Sequence, residues 1–532
     1  MNAMVDLPRL VFIGCVSLAL ARASSGLEGA QVGDVGANTK AAVAAQDSYA
    51  GNAPSDAVSG SVVQVFATVR YPNLAKPWSK GSPQEVSGSG TVIEGRRILT
   101  NSHVVLYASQ IQIQGHGGGD RISAAIESIA PGIDLAVLKL DDESFFDTHP
   151  ALVRANEVPR IKDPVLVYGY PAGGTNLSVT KGIVSRIEFA GYNAPVSGLR
   201  IQIDAAINHG NSGGPAVVGD KMIGLAFSFL NGAQNIGYII PTEEINLFLR
   251  GVAAGGYKGK PAEFSSLQTL ENPALRRFLG IPPAVHGVAI QRPGSPDPGY
   301  PLKKWDLITR IGDTPVDDQG MVQLEGDLRV SFSYMIQRVV KNDTVPLKVV
   351  RGGKQIAVTV PVERNHQGLF PDLAGAYPSY FILGPIVFSQ ATWQLVSGID
   401  SSNWFSSMLD QRQSPLVTRQ ADLPSFAGEG IVFVPSPFFP HALAKGYSDP
   451  EMRVVSSVNG TSVKNLLHLV EIIRDSRDPY VSIEFADIHC DRLVFPRAEM
   501  IAATNQILAD NGVRNQGSED AMKAWNARAP AP

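Results

Sequence analysis

The chain has 532 residues, 44% hydrophobic and 18% charged, which at roughly 150 residues per domain predicts three to four globular domains and excludes a largely disordered chain. Lys plus Arg number 45 against 49 Asp plus Glu, a net charge of -4, which excludes the basic excess of a protein that wraps nucleic acid. The 52 Gly and 37 Pro favour many turns, and so β-rich domains with flexible joints.

At the N-terminus Arg9 precedes the apolar run Leu10 to Ala21, and Ala21-Arg22-Ala23 places small residues at both positions a signal peptidase reads. That run is far shorter than the roughly 20 residues that span a bilayer as a helix. Residues 1–23 are therefore expected to be a cleaved signal peptide, with no transmembrane span in the mature chain. Cleavage removes Cys15 and leaves Cys490 alone, so an intramolecular disulfide is excluded. Cys490 lies between His489 and Asp491, but no CxxC or HExxH accompanies it to complete a metal or redox site. Residues 24–59 are rich in Ala, Gly, Ser, Asp and Asn and predict a flexible leader.

At Val62 the texture changes to a β-branched run, Val62-Val63-Gln64-Val65-Phe66-Ala67-Thr68-Val69, suited to a buried strand. Short strand candidates with glycine turns follow at residues 88–94, 97–100, 111–114, 135–140, 165–168, 182–187, 199–204 and 221–227. This spacing predicts an all-β barrel or sandwich domain over residues 60–252. Three of its segments hold the parts of a nucleophilic hydrolase. Ser212 lies in Gly210-Asn211-Ser212-Gly213-Gly214-Pro215, where glycines permit a tight turn that exposes a hydroxyl and gathers backbone N–H groups into an oxyanion hole at Gly210, Asn211 and Ser212. A serine hydroxyl needs a base, and His103, just after the strand candidate 97–100, is the best placed. The imidazole needs an anion to fix its tautomer, and Asp134 opens the apolar run Leu135-Ala136-Val137-Leu138. His209 stands too near Ser212 along the chain to serve as that base, and no other histidine shows metal-site spacing.

These segments, Thr100-Asn101-Ser102-His103-Val104-Val105, Asp134-Leu135-Ala136-Val137-Leu138-Lys139 and Gly210 to Pro215, resemble the protease domain of the Deg/HtrA family of chymotrypsin-fold serine endopeptidases. Gly88-Ser89-Gly90-Thr91-Val92-Ile93 and Thr180-Lys181-Gly182-Ile183-Val184-Ser185 extend the resemblance across roughly residues 60–250. It implies a double β-barrel, acyl transfer with His103, Asp134 and Ser212 in their usual roles, no cofactor or metal, unfolded or damaged proteins as substrates, and a homo-oligomer built on trimers. In trypsin-like relatives the specificity aspartate lies six residues before the serine, and here that position is Ala206. Ile207 and Leu230 are expected to line an apolar S1 pocket that takes Val, Ala or Ile, with loose specificity because methylene-level discrimination is worth only about 1–3 kcal/mol.

Beyond Gly255 two stretches repeat a strand-turn-strand pattern, Asp306 to Val316 and Arg453 to Val463, each followed by a helix candidate and a strand. They resemble PDZ domains, α+β modules that capture an extended peptide by β-augmentation. The first is expected over residues 262–364, with C-terminal peptides held at Leu279, Gly280 and Ile281 in the loop Phe278-Leu279-Gly280-Ile281, unless that loop is only a helix cap. The second, over residues 370–495, lacks a comparable loop before Gly430 and resembles the plant-organelle type; a role in assembly is expected of it. Residues 496–532 are expected to be a tail, disordered from about Gly512. The expected class is thus mainly β, a chymotrypsin-like double barrel followed by two PDZ-like domains, in an exported protein of the periplasm or cell envelope or, alternatively, an organelle lumen. The rival readings are a proteolytically silent chaperone or scaffold, and a processing enzyme triggered by C-terminal peptides.

Overall fold

The β-branched run at Val62 forms β1 (Val62–Val69), whose side chains are almost all buried. It is joined by β2 (Gln84–Ile93), β3 (Arg97–Thr100), β4 (Ala108–Gln114), β5 (Ile122–Ala130) and β6 (Leu135–Leu140), which close a barrel in the order β1-β2-β3-β6-β5-β4. A second barrel is built from β7 (Pro164–Gly169), β8 (Ser178–Gly191), β9 (Ser197–Ile203), β10 (Pro215–Val218), β11 (Lys221–Phe227) and β12 (Gly237–Pro241). Its order, β10-β11-β12-β9-β8-β7, is that of the first barrel read backwards, so the two halves share one topology. Closure leaves neither barrel a free sheet edge. The fold comes from a computed structural model, which describes residues 56–192, 196–208, 210–227, 237–324, 328–364 and 368–527; the expected signal peptide and most of the expected leader lie outside them. The end of the expected leader is already structured: α1 (Asp56–Ser59) buries Val58 in the apolar cluster that both barrels and α3 share.

Two short helices flank the barrels. The single turn α2 (Ser102–Val105) follows β3, and α3 (Thr242–Ala253) closes the second barrel by burying Ile245, Phe248 and Leu249.

The first C-terminal module carries a sheet ordered β13 (Ser266–Gln268), β14 (Val288–Arg292), β15 (Leu307–Ile311), β19 (Thr344–Arg351) and β20 (Lys354–Pro361), with the stub β16 (Thr314–Pro315) on β15. The ribbon β17 (Met321–Gln323) and β18 (Arg329–Ser331) and the helices α4 (Pro273–Phe278) and α5 (Ser333–Val339) complete it. In the second module β21 (Tyr380–Leu383), β22 (Ile386–Gln390) and β23 (Val432–Phe433) form one sheet. Then β24 (Val455–Val458), β25 (Thr461–Ser462), β26 (Tyr480–Phe485) and β27 (Leu493–Pro496) form another, joined to the first at Phe433 and Val454. Helices α6 (Trp393–Asp400), α7 (Asn403–Gln411) and α8 (Pro415–Thr418) fill the link before β23, and α9 (Leu466–Asp475) packs beneath. The repeat is therefore real in space, since β15-β16 and β24-β25 are equivalent hairpins. The second turns on Asn459-Gly460 with positive φ at both, the geometry a two-residue hairpin prefers.

The expected tail is not one. Helix α10 (Arg497–Asp510) buries Met500, Ile507 and Leu508, and α11 (Glu519–Asn526) buries Ala521. Between them residues 516–518 pair with β21 as an edge strand: the Ile382 N–H donates to the Gln516 carbonyl and the Ser518 N–H to that of Tyr380. A polar, Ala-rich composition misleads here because one apolar stripe, with Trp525 against Phe381 at 5.2 Å, is enough to dock a short helix.

Candidate active site

The left-handed conformation of Asp134 (φ 54) ends the turn Pro131–Ile133 and swings its carboxylate beneath α2. There Oδ1 accepts from the Ser102 hydroxyl and from the His103 N–H, both at 2.9 Å, while the Asn101 amide donates to the Asp134 carbonyl. The other oxygen, Oδ2, lies 2.7 Å from His103 Nδ1. A carboxylate only accepts, so Nδ1 carries the proton and Nε2 is left as the base. Asp134 is almost wholly buried, whereas about half of the His103 side chain faces solvent. Burial alone would lower the imidazole pKa, but the charge of Asp134 and its hydrogen bond more than offset this, and the net shift is upward from 6.5.

Ser212 lies in the second barrel, nearly buried, in the turn that leads into β10. Gly210 (φ +99) and Gly213 (φ +89) both need glycine: a Cβ on Gly210 would stand 2.4 Å from the Tyr170 carbonyl and the Ala172 amide, and one on Gly213 1.9 Å from the Ser89 carbonyl. Strand β2 crosses from the first barrel to meet this turn, and the Ser89 N–H donates to the Ser212 carbonyl at 2.8 Å. The structure thus brings the His103–Asp134 pair and the Ser212 turn to the seam between the barrels.

Asn211 does not match its expected place among the oxyanion donors. Its N–H is spent on the Asn208 carbonyl at 3.0 Å, and its side chain is fully buried, with neither amide atom hydrogen-bonded among the described residues. Ile207 is half-buried and lies over Gly237 at the start of β12. Leu230 and His209 lie outside the described residues, and Phe227 is in the core, stacked 5.4 Å from Tyr192.

A larger correction concerns the first C-terminal module. The N–H groups of Leu279, Gly280 and Ile281 donate to Leu275, Arg277 and Arg276, closing the C-terminus of α4 around the left-handed Gly280 (φ +65). They have no donors to offer a peptide carboxylate. A cavity of about 410 Å³ lies elsewhere, where residues 260–264 and α5, with Ser333, Ile336 and Gln337, face Phe189, Val196 and Ser197 of the second barrel. No glycine-hydrophobic signature marks that segment in the sequence; only its place just before β13, the sheet's edge strand, could have pointed to it. Lys260, in the cavity wall, is buried, its ammonium 2.6–2.7 Å from both carboxylate oxygens of Glu244 on α3, and burial draws its pKa down. Among the described residues no cluster of His, Cys, Asp and Glu could hold a metal, and Cys490 is a half-buried free thiol whose pKa burial raises.

The trypsin-like peptidase domain family matches residues 88–225 and the PDZ domain family residues 371–520. The chain is 35% identical over 427 residues to Protease Do-like 4, mitochondrial, of Arabidopsis thaliana, covering 79% of this chain and 77% of that protein. The chain belongs to the Deg/HtrA family. Protease Do-like 2, chloroplastic, of the same plant is 34% identical, covering 87% of this chain and 76% of its relative. Among solved structures, the HtrA-type protease AlgW with decapeptide is 24% identical, with a TM-score of 0.44, and covers 59% of this chain and 98% of its own. As a Deg/HtrA protein the chain is a serine endopeptidase, mainly β, with two closed six-stranded barrels and PDZ domains. No helix among the described residues is long and apolar enough to cross a membrane.

Proposed function

We propose that this Deg/HtrA protease degrades unfolded or damaged proteins by acyl transfer from Ser212. His103 Nε2 takes the hydroxyl proton as Oγ attacks the peptide carbonyl, then returns it to the leaving amine. Asp134 steadies the imidazolium, and the N–H groups of Gly210 and Ser212 hold the oxyanion. The single observation that carries this reading is the 2.7 Å contact of His103 Nδ1 with a buried Asp134, set across the barrel seam from Ser212. An apolar S1 pocket with Ile207 in its wall, and Ala206 in place of an acid, favours cleavage after Val, Ala or Ile.

The first PDZ module captures extended peptide ends. Its edge strand β13 has no partner on its outer side in the sheet order, and residues 260–264, which line the cavity, come just before it in the chain. In the second module the equivalent strand, β22, is already covered by β21, and β21 by residues 516–518. That module therefore serves assembly rather than capture, within a homo-oligomer built on trimers. The mitochondrial and chloroplastic relatives favour an organelle lumen over a periplasm.

Digestion of unfolded casein by the full chain beside Ser212→Ala, with cut sites mapped by mass spectrometry, tests the proposal. Cleavage after small aliphatic residues that disappears in the variant is expected. Cuts dominated by Lys or Arg at P1, or cleavage by Ser212→Ala equal to that of the parent, would refute it.

A further inference from the structure

We propose that Ser89 is a positioning residue for the oxyanion turn, one that holds the Gly210–Asn211 peptide, which links the two oxyanion donors Gly210 and Ser212, in its catalytic orientation from the opposite barrel. The proposal rests on the reading of Ser212 as nucleophile and Gly210 as an oxyanion donor.

Ser89 is fully buried in the middle of β2. Its hydroxyl donates to the Gly210 carbonyl at 2.7 Å and accepts from the Tyr170 N–H at 2.8 Å. Its backbone is committed in the same direction: the N–H donates to the Ser212 carbonyl and the carbonyl accepts from the Thr100 hydroxyl, at 2.8 and 2.7 Å. One residue of the first barrel thus fastens Tyr170, Gly210 and Ser212 of the second, and ties them to the strand end that leads into α2 and His103. The fit leaves no slack. A Cβ on Gly169 would lie 3.0 Å from the Ser89 hydroxyl, and one on Gly213 would collide with the Ser89 carbonyl.

Glycine's conformational freedom is what makes such a hold necessary. Gly210 has no Cβ to restrict it and sits at positive φ, so its carbonyl can rotate unless something holds it. That carbonyl belongs to the peptide shared with Asn211, so turning it changes ψ of Gly210 and φ of Asn211 and re-aims the flanking N–H groups of Gly210 and Ser212, and an oxyanion donor works only when aimed at the charge that develops in the transition state. The Ser89 hydroxyl is the side chain bonded to that carbonyl. A serine hydroxyl, with one donor and two acceptor sites, can bridge a carbonyl and an N–H at once; an alanine leaves both buried and unpaired. This effect belongs to the transition state, so it acts on kcat rather than on substrate binding.

The test uses the full chain with a fluorogenic Val-P1 peptide. Ser89→Ala is expected to lower kcat by about 10- to 100-fold with KM within about twofold, short of the roughly 10²–10³ lost with a whole oxyanion donor. A peptide boronate, whose tetrahedral adduct places an oxygen in the same hole, is expected to lose affinity by the same factor as kcat/KM. Thr91→Val serves as control: it removes a 3.3 Å bond to the Gly213 carbonyl at the same seam but leaves Ser89 in place, and should retain kcat within about threefold at a comparable loss of thermal stability. A kcat for Ser89→Ala within twofold of the parent, a rise in KM alone, or an equal fall of kcat in Thr91→Val would overturn the proposal. Should Ser89→Ala not fold, Ser89→Cys, a weaker donor of similar size, is expected to show the same split of kcat against KM, and its absence is equally decisive. Ser212→Ala measured alongside separates the two claims: cleavage by that variant removes the nucleophile assignment, whatever Ser89 does.

Discussion

In the proposed mechanism Asp134 decides the pH at which His103 can act as a base. The imidazole must be neutral to accept the Ser212 proton, and its pKa is shifted upward because the charge and hydrogen bond of Asp134 outweigh burial. Activity should therefore rise with pH through a midpoint above 6.5 and be lost below it. In Asp134→Asn only burial remains, so the midpoint of the pH–rate profile should move down, with kcat lower by about 10⁴-fold; an unshifted midpoint would contradict the assignment. The proposed triad residues stand out in the sequence because each lies in a short motif whose residue types suit one chemical task. Ser89 reads there only as part of a glycine-rich strand, since its role depends on partners roughly 80 to 120 positions away, Tyr170 and Gly210, and no local pattern encodes such a pairing.

The turn that carries Ser212 is held by contacts that exclude side chains. Gly213→Ala would force a Cβ against the Ser89 carbonyl at positive φ, so it should cost at least about 1–3 kcal/mol from backbone strain alone, read as a lowered melting temperature together with lost activity. A second constrained element is the ion pair of α3 with the strand-like link to the first PDZ module. Glu244 is fully buried and its carboxylate accepts from the Leu199 N–H as well as from Lys260. Lys260→Met leaves that carboxylate without its cation, which should destabilise the protein by about 3–5 kcal/mol; a change under about 1 kcal/mol in denaturant titration would show the pair to be dispensable. Strands with apolar runs, such as β1 and β6, are readable from the sequence within a residue or two. Strand β5 is not, because Ile-Ser-Ala-Ala-Ile-Glu-Ser-Ile-Ala is poor in strand formers and is held by pairing with β4 and β6. The Leu279-Gly280-Ile281 segment misleads for the opposite reason: a glycine between apolar residues serves a helix C-cap as readily as a peptide site.

The molecule as a whole is a protease clasped by its own PDZ modules. Glu243 on α3 accepts from the Tyr334 hydroxyl at 2.8 Å and from Arg338, both on the first module. The segment between β1 and β2 reaches into the second module, where Trp78 packs 5.3 Å from Phe439 and the Tyr377 hydroxyl donates to the Arg70 carbonyl. That segment continues directly into β2 and Ser89. Trp78→Ala should therefore loosen the second module, seen as faster proteolytic nicking near residues 365–376, and lower activity through β2. Unchanged nicking would show that the contact carries no load. Domain order and the repeat are legible in sequence, but the folded C-terminus and the filled edge of β21 are not, because both depend on strand pairing between segments more than 120 residues apart. The central claim is that Ser212 is a nucleophile activated by His103, and covalent labelling with a fluorophosphonate, followed by peptide mapping, tests it most directly. The account predicts one adduct, on the peptide containing Ser212, formed by the parent and suppressed in His103→Ala. An adduct on another residue, or equal labelling of Ser212 in His103→Ala, would contradict it.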